Sequence, residues 1–440
     1  MTTKNIISSI IAVFAVSAIA MAQPFTTEDI LISEASNFEG CKNIYVTEEF
    51  ADFLETGGHG NEVALKRALV NLGFNSAERL FPAAGRFEAR TRKEGLHRWY
   101  QVSCRGAVPA SYLRQCGQVI VMNSTSAQNN YYNDPLLSHQ TSIGSTEAGM
   151  NALDAWKAFP TAKQNEVVVA VIDGGINYNH EDLKGIYHSS YNFVRNSSQI
   201  IPDNHGTAVA GIIAANCNNG KGVSGIADGV KVMGCQVFDK DAKGQTRMGN
   251  TALAIKWACD NGAVICNNSW EYTFGSEEKA AKGSLRAADK AAIDYFVKYA
   301  GLDENGKQEG PMAGGVVFFS AGNSGYNYSW PSAYENVIAV GSYAEGGNRA
   351  SISNYGDWVN LSTYVSYVST TNNGYGVFTG TSASCAGASG LAALAVSRFG
   401  GKGFTADRLR SIMLKSSKPV AGKGIGSKVD ALAALQAFAR

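Results

Sequence analysis

Residues 168–175 read Val168-Val169-Ala170-Val171-Ile172-Asp173-Gly174-Gly175. An unbroken apolar run rich in β-branched residues suits a strand buried on both faces, because a half-solvated strand would alternate apolar with polar. The run ends in a carboxylate, and the two glycines let the backbone turn away at once. Open α/β sheets bind their ligands outside such carboxyl ends. Aspartate there also serves metal, ribose and phosphoryl chemistry, so the rest of the chain has to discriminate.

The surrounding sequence repeats this alternation. Stretches 166–172, 230–237, 263–267, 315–320 and 336–340 are strand-like, and 207–215, 250–261 and 285–299 carry helical patterns between them. Doubly buried strands alternating with helices predict an α/β domain of three layers, with a mostly parallel sheet between helices. No internal repeat is present.

Two further segments carry reactive side chains. In Asn204-His205-Gly206-Thr207-Ala208-Val209-Ala210-Gly211, His205 stands at the start of a helix whose small residues permit close packing on the sheet. One imidazole nitrogen there can face a strand-end carboxylate while the other points to substrate. In Phe378-Thr379-Gly380-Thr381-Ser382-Ala383-Ser384, a turn presents Ser382 at a helix N-terminus, where free N–H groups favour developing negative charge. A serine so placed is usually only a helix cap.

Together these segments resemble the subtilisin family of serine proteases, over roughly residues 133–438. The chain order Asp, His, Ser is that of subtilisin and differs from chymotrypsin-like and α/β-hydrolase orders. The resemblance implies a subtilisin-like fold and a triad of Asp173, His205 and Ser382. Ser320-Ala321-Gly322-Asn323-Ser324-Gly325 looks like the family's oxyanion-hole loop, which makes Asn323 the side-chain donor. The stretches 179–183, 330–341 and 349–356 resemble further family segments. Around the expected substrate strand Asn268, Ser269 and Trp270 follow the pattern, but Glu271 and Tyr272 replace common glycines. Ser269, Trp270 and Glu271 are the expected substrate-binding residues, with Glu271 either a solvated rim charge or an attractor of basic side chains. After the nucleophile, Ser384-Cys385-Ala386-Gly387 departs from the usual Ala-Ser-Pro-His, so slower or less stable activity is expected. Residues 217–223 resemble the family's calcium loop, in which Asp182 and Asn219 would ligate a structural calcium; a plain Asn/Gly turn is the alternative. Catalysis itself calls for no cofactor.

At the other end, Lys4 followed by the apolar run 6–21 and Ala20-Met21-Ala22 reads as a signal peptide, 1–22, rather than a membrane anchor. Residues 24–125 predict a small α+β domain on a split β-α-β plan, with strands at 42–50, 97–104 and 118–123 and helices at 61–72 and 110–116. This resembles the inhibitor-like propeptides of the family, expected to act as intramolecular chaperone and inhibitor. Residues 126–133 read as a processing linker, with the cut between 123 and 134, and 134–440 as the catalytic domain. No further domain is expected beyond the last helical pattern.

Lys and Arg number 38 against 37 Asp and Glu, so no single-sign field recruits nucleic acid or anionic lipid. The expectation is a secreted monomer, extracellular or periplasmic, acting on protein or peptide substrates and with no membrane attachment once the signal is removed. Five of the eight cysteines fall in the catalytic part, an odd number, and Cys235, Cys266 and Cys385 read as small core hydrophobes. A catalytically dead binding protein is one rival. A serine esterase of another fold is a second, opposed by the residue order and by Ser384 at the last position of G-x-S-x-G.

Overall fold

A computed structural model describes residues 25–121, 133–160, 166–420 and 424–440. The signal segment and residues 122–132, with most of the expected linker, lie outside the described residues.

The amino-terminal unit is formed by strands β1 (Ile30–Ala35), β2 (Cys41–Val46), β3 (Phe74–Arg79) and β4 (Trp99–Cys104), with helices α1 (Glu48–Glu55), α2 (Glu62–Asn71) and α3 (Glu88–Lys93). Its antiparallel sheet runs β1-β2-β4-β3, so β4 separates β2 from β3 in a split β-α-β arrangement. The strand expected over 42–50 stops at Val46 because the Thr47 hydroxyl accepts the Phe50 N–H at 3.4 Å and caps α1. Ile44, Val46, Phe50, Phe53, Tyr100 and Val102 form its core.

Two expectations for this unit are corrected. Residues 110–116 form no helix: β5 (Leu113–Gln115) is extended and pairs antiparallel with Trp270–Tyr272. The strand expected over 118–123 is β6 (Gln118–Val121), and it joins Gly374–Thr379 rather than the unit's own sheet. Both segments take their shape from distant partners, which no local periodicity records.

The larger unit contains α4 (Ala152–Ala158), β7 (Val168–Asp173), β8 (Tyr187–Asn192), α5 (Asn204–Ala214), β9 (Lys231–Gln236), β10 (Phe238–Lys240), β11 (Thr246–Met248) and α6 (Thr251–Asp260). It continues with β12 (Ile265–Asn268), β13 (Trp270–Tyr272), α7 (Glu277–Lys282), α8 (Ala287–Tyr299), β14 (Val316–Ser320), β15 (Ile338–Tyr343), β16 (Leu361–Tyr364), β17 (Ser366–Thr371) and β18 (Gly374–Thr379). The long helix α9 (Thr381–Phe399), α10 (Ala406–Ser416), β19 (Lys418–Pro419), β20 (Ser427–Lys428) and α11 (Ala431–Phe438) complete it.

The main sheet runs β19-β20-β16-β15-β14-β12-β7-β9-β8 and is parallel except for β19. In β7, Val169 and Val171 pack toward α5 and α9, while Val168, Ala170 and Ile172 pack toward α6 and α8. Both faces are thus covered, each buried Val or Ile contributing about 1.5–3 kcal/mol of hydrophobic stabilisation. This three-layer sheet sets the ends of β7 and β12 beside the N-termini of α5 and α9. All eight cysteines are free, with Cys235, Cys266 and Cys385 buried. Among the described residues no helix is long and apolar enough to cross a membrane.

The amino-terminal unit docks on the α6/α8 face, where Phe81, Leu96 and Trp99 share a core with Tyr295 and Tyr299. Arg90 donates to the Tyr295 hydroxyl at 2.6 Å and to Asp260 at 2.8 Å. Glu34 accepts the N–H groups of Ala287 and Ala288 at 2.7 and 3.2 Å, closing the N-terminus of α8 in place of a side-chain cap from that helix.

Candidate active site

Asp173 ends β7, and its Oδ1 accepts the Gly174 N–H at 2.6 Å. His205 stands in the first turn of α5, whose N-cap Asp203 accepts the His205 N–H at 2.7 Å. The His205 Nδ1 lies 2.7 Å from Asp173 Oδ1, and Nε2 lies 3.0 Å from the Ser382 Oγ at the start of α9. With Nδ1 protonated toward the carboxylate, Nε2 is left as an acceptor for the hydroxyl proton. That proton has a second acceptor, the Ser269 carbonyl, at 2.9 Å. All three side chains are buried. Burial pushes the His205 imidazole down, but the Asp173 carboxylate, with Asp203 behind it, outweighs that cost and leaves its pKa raised. A hydroxyl, an imidazole and a carboxylate in this sequence can activate an oxygen nucleophile.

What covers these groups is the chain itself. β5 pairs with β13 in the register Leu113↔Tyr272, Arg114↔Glu271, Gln115↔Trp270, and Cys116 continues the ladder by donating its N–H to Ser269 at 3.0 Å. The Cys116 carbonyl then accepts the Ser382 N–H at 2.8 Å. Asn323 lies beside it. Its Oδ1 accepts both the Thr381 N–H at 3.0 Å and the Thr381 hydroxyl at 2.8 Å, which turns Nδ2 the other way. A Cβ at Gly380, where φ is +114°, would lie 2.6 Å from the Cys116 oxygen and 2.7 Å from Asn323 Nδ2. Carbonyl and amide therefore share the space that only glycine leaves open. The Ser382 N–H is one donor to that oxygen, and Asn323 Nδ2, bordering the same space, is placed to offer a second to a developing oxyanion.

Of the expected substrate-binding residues, Ser269 meets the cleft segment through its carbonyl and Trp270 through its backbone, while the Trp270 ring is fully buried against Phe319. Glu271 is not a solvated rim charge, the first of the two readings its sequence allowed. It is 2% exposed. Its carboxylate accepts from Arg114 Nε at 2.7 Å, the Ser329 hydroxyl at 2.9 Å, Asn354 Nδ2 at 3.1 Å and the Asn323 N–H at 3.2 Å. These partners pull a carboxylate inward that would otherwise stay in water.

Asp182 and Asn219 do meet, but as a hydrogen bond: Asn219 Nδ2 donates to Asp182 Oδ1 at 2.7 Å, and the Val223 N–H fills Oδ2 at 2.8 Å. The Asn219 oxygen accepts the Lys221 N–H at 2.8 Å. Asp134 is likewise wrapped by the N–H groups of Asn218 and Asn219. Burial, with Asp134 and Glu181 nearby, pushes Asp182 up to about 7 against the bonds from Val223 and Asn219. Calcium needs several oxygens facing one point, and here donors occupy them. The loop as folded does not fit the ion, because hydrogen-bond donors occupy the oxygens of Asp182 and Asn219 that it would need.

Sequence reasoning missed Asp203 and Gln115. Gln115 Nε2 donates to Asp173 Oδ1 at 3.0 Å and reaches Asp203 Oδ2 at 3.4 Å. The Asp-Asn-His order before the helix was a readable cap signal for Asp203. For Gln115 no local signal exists.

The subtilase family model matches residues 164–431. The chain is 35% identical to the thermophilic serine proteinase of Bacillus sp. (strain AK1) over 56% of its own length and 55% of that protein. It is 29% identical to thermitase of Thermoactinomyces vulgaris over 66% of its length and 93% of that protein. It thus spans little more than half of the first relative and nearly all of the second. Among solved structures, proteases from Pseudoalteromonas arctica PAMC 21717 superpose with a TM-score of 0.58 at 27% identity, covering 70% of this chain and 99% of that one. With the family match extending over more than half of its residues, and taking in all three residues of the hydroxyl–imidazole–carboxylate sequence, the chain belongs to the subtilase family.

Proposed function

We propose that this chain is a secreted serine endopeptidase that hydrolyses peptide bonds through an acyl-enzyme. Ser382 is the nucleophile, His205 the general base and then acid, and Asp173 the anchor that fixes the imidazole tautomer. The observation carrying the proposal is the unbroken contact from Asp173 through His205 to Ser382, at 2.7 and 3.0 Å. Attack on a peptide carbonyl places its oxyanion between the Ser382 N–H and Asn323 Nδ2. His205 hands the proton to the leaving amine, and water then repeats the cycle to free the acyl group.

Residues 1–22 serve as signal peptide, and the amino-terminal unit that follows serves as chaperone and inhibitor of the larger one. Its support is the docked face built on Arg90, Glu34 and Trp99 and the strands it lends to the cleft. A fluorophosphonate applied to the mature protein is expected to label Ser382, and Ser382→Ala to abolish both labelling and casein hydrolysis. A wild-type protein that neither labels nor hydrolyses casein would leave only a binding scaffold.

A further inference from the structure

The chain enters the cleft as β5 on β13 and leaves it as β6 on β18, with Cys116 and Gly117 between the two strands. Gly117 sits against the nucleophile: a Cβ there would come within 3.0 Å of Ser382 Cβ and 2.6 Å of the Phe378 ring. On one side of the pair, the Cys116 carbonyl accepts the Ser382 N–H at 2.8 Å in the space that Asn323 Nδ2 also borders. On the other, β6 is held over four register pairs, from Gln118↔Thr379 to Val121↔Gly376. A peptide bond is thereby stretched across the hydroxyl and clamped on both flanks, the placement that converts a bimolecular attack into a local one.

Arg114 carries a second observation. Its guanidinium pairs with the buried Glu271 and also meets the Ser324 hydroxyl. Arg114 is the one cation in ion-pair contact with Glu271 among the described residues. When this segment departs, a carboxylate in the wall of the cleft loses its counter-ion, and a new substrate that supplies one is favoured.

We propose that Cys116–Gly117 is the bond this chain cuts in itself, and that Glu271 selects arginine at the third residue before the cut. This rests on the endopeptidase reading. The Ser382 oxygen bonds to the Cys116 carbonyl carbon as its proton passes to His205; the carbon–nitrogen bond then breaks and the proton goes to the Gly117 amine. One water hydrolyses the ester, leaving a carboxylate on Cys116 and restoring the serine. The cut falls ahead of the polar stretch 123–134, where exposure alone had placed it.

The full wild-type chain and Ser382→Ala are to be purified after export and every fragment sequenced and weighed. The expected products are an amino-terminal fragment ending at Cys116 and a partner beginning at Gly117, with the bond whole in Ser382→Ala. A synthetic peptide of the sequence 113–121, given to mature enzyme, is expected to be cut at the same bond. Replacing its arginine by glutamine should lower kcat/KM by about tenfold or more, and that ratio should collapse toward one in Glu271→Gln. An enzyme that takes fluorophosphonate at Ser382 yet leaves Cys116–Gly117 whole in both chain and peptide overturns the proposal while sparing the protease reading. Absence of labelling overturns that reading itself. Equal wild-type rates for the two peptides remove the role of Glu271, whether or not its variant folds.

Discussion

The chemistry proposed here depends on which proton sits on which nitrogen of His205. Asp173 selects the tautomer and, with Asp203, raises the imidazole pKa above its ordinary 6.5. Catalysis uses the neutral imidazole, so hydrolysis is expected to fall as pH drops through a midpoint above 6.5. The same shift enters stability with a definite sign. A raised folded-state pKa gives stabilisation that is complete below the unfolded value and is lost as pH rises through the folded one. Asp173→Asn removes the charge and permits the wrong tautomer, so kcat should fall by about 10³–10⁴ and the acid limb should move to lower pH. A pH–rate profile of both proteins checks this; an unmoved limb would mean that the carboxylate does not set the titration.

Elements differ in how far their own residues specify them. β7, β9, β12, β14 and β15 were legible from the apolar runs that strands buried on both faces carry, even where Gln236 or Asn267 and Asn268 end them, and the His and Ser segments because each sits at a helix start. The helix expected at 110–116 failed for the opposite reason: β5 is extended only because β13, more than 150 residues later, offers it a ladder. Glu271 misled similarly, since Ser329, Asn354 and Arg114, which draw it inward, are remote in sequence. Contacts between elements also yield two predictions. Glu34 closes the first turn of α8, and burial leads the effects that raise its pKa. In the uncut Ser382→Ala chain, Glu34→Ala should cost about 1 kcal/mol by stranding two N–H groups, and Glu34→Gln should recover part of it. Because the shift is upward, the Glu34 contribution is full below its unfolded pKa and declines as pH rises through the folded one, so melting curves at pH 4 and 8 should reveal the trend. In the loop around Asp182, amides already fill the carboxylate oxygens, and chelator is expected to leave thermal unfolding unmoved. A lowered Tm would mean that Asn219 turns its oxygen inward to hold an ion.

For the molecule as a whole, the amino-terminal unit is held by the apolar face around Trp99, by polar ties such as those of Arg90 and Glu34, and by β5 in the cleft. Hydrolysis at Cys116–Gly117 passes β6 to the larger piece but leaves all three of these in place, β5 still on β13. Arg90 pairs with Asp260 in a largely buried setting that salt screens weakly. The severed unit is therefore expected to stay in place as an inhibitor, its new carboxylate on the Ser382 N–H and its arginine still on Glu271. Proteolytic activity should then lag behind the appearance of the cut, and the two pieces should co-elute in gel filtration during the lag. Full activity arising together with the cut, or immediate separation of the pieces, would place the binding energy in the covalent link rather than in the docked face. The lag should end only as the fragment is itself digested, since each departure exposes an unpaired Glu271 that the same arginine is best suited to neutralise again.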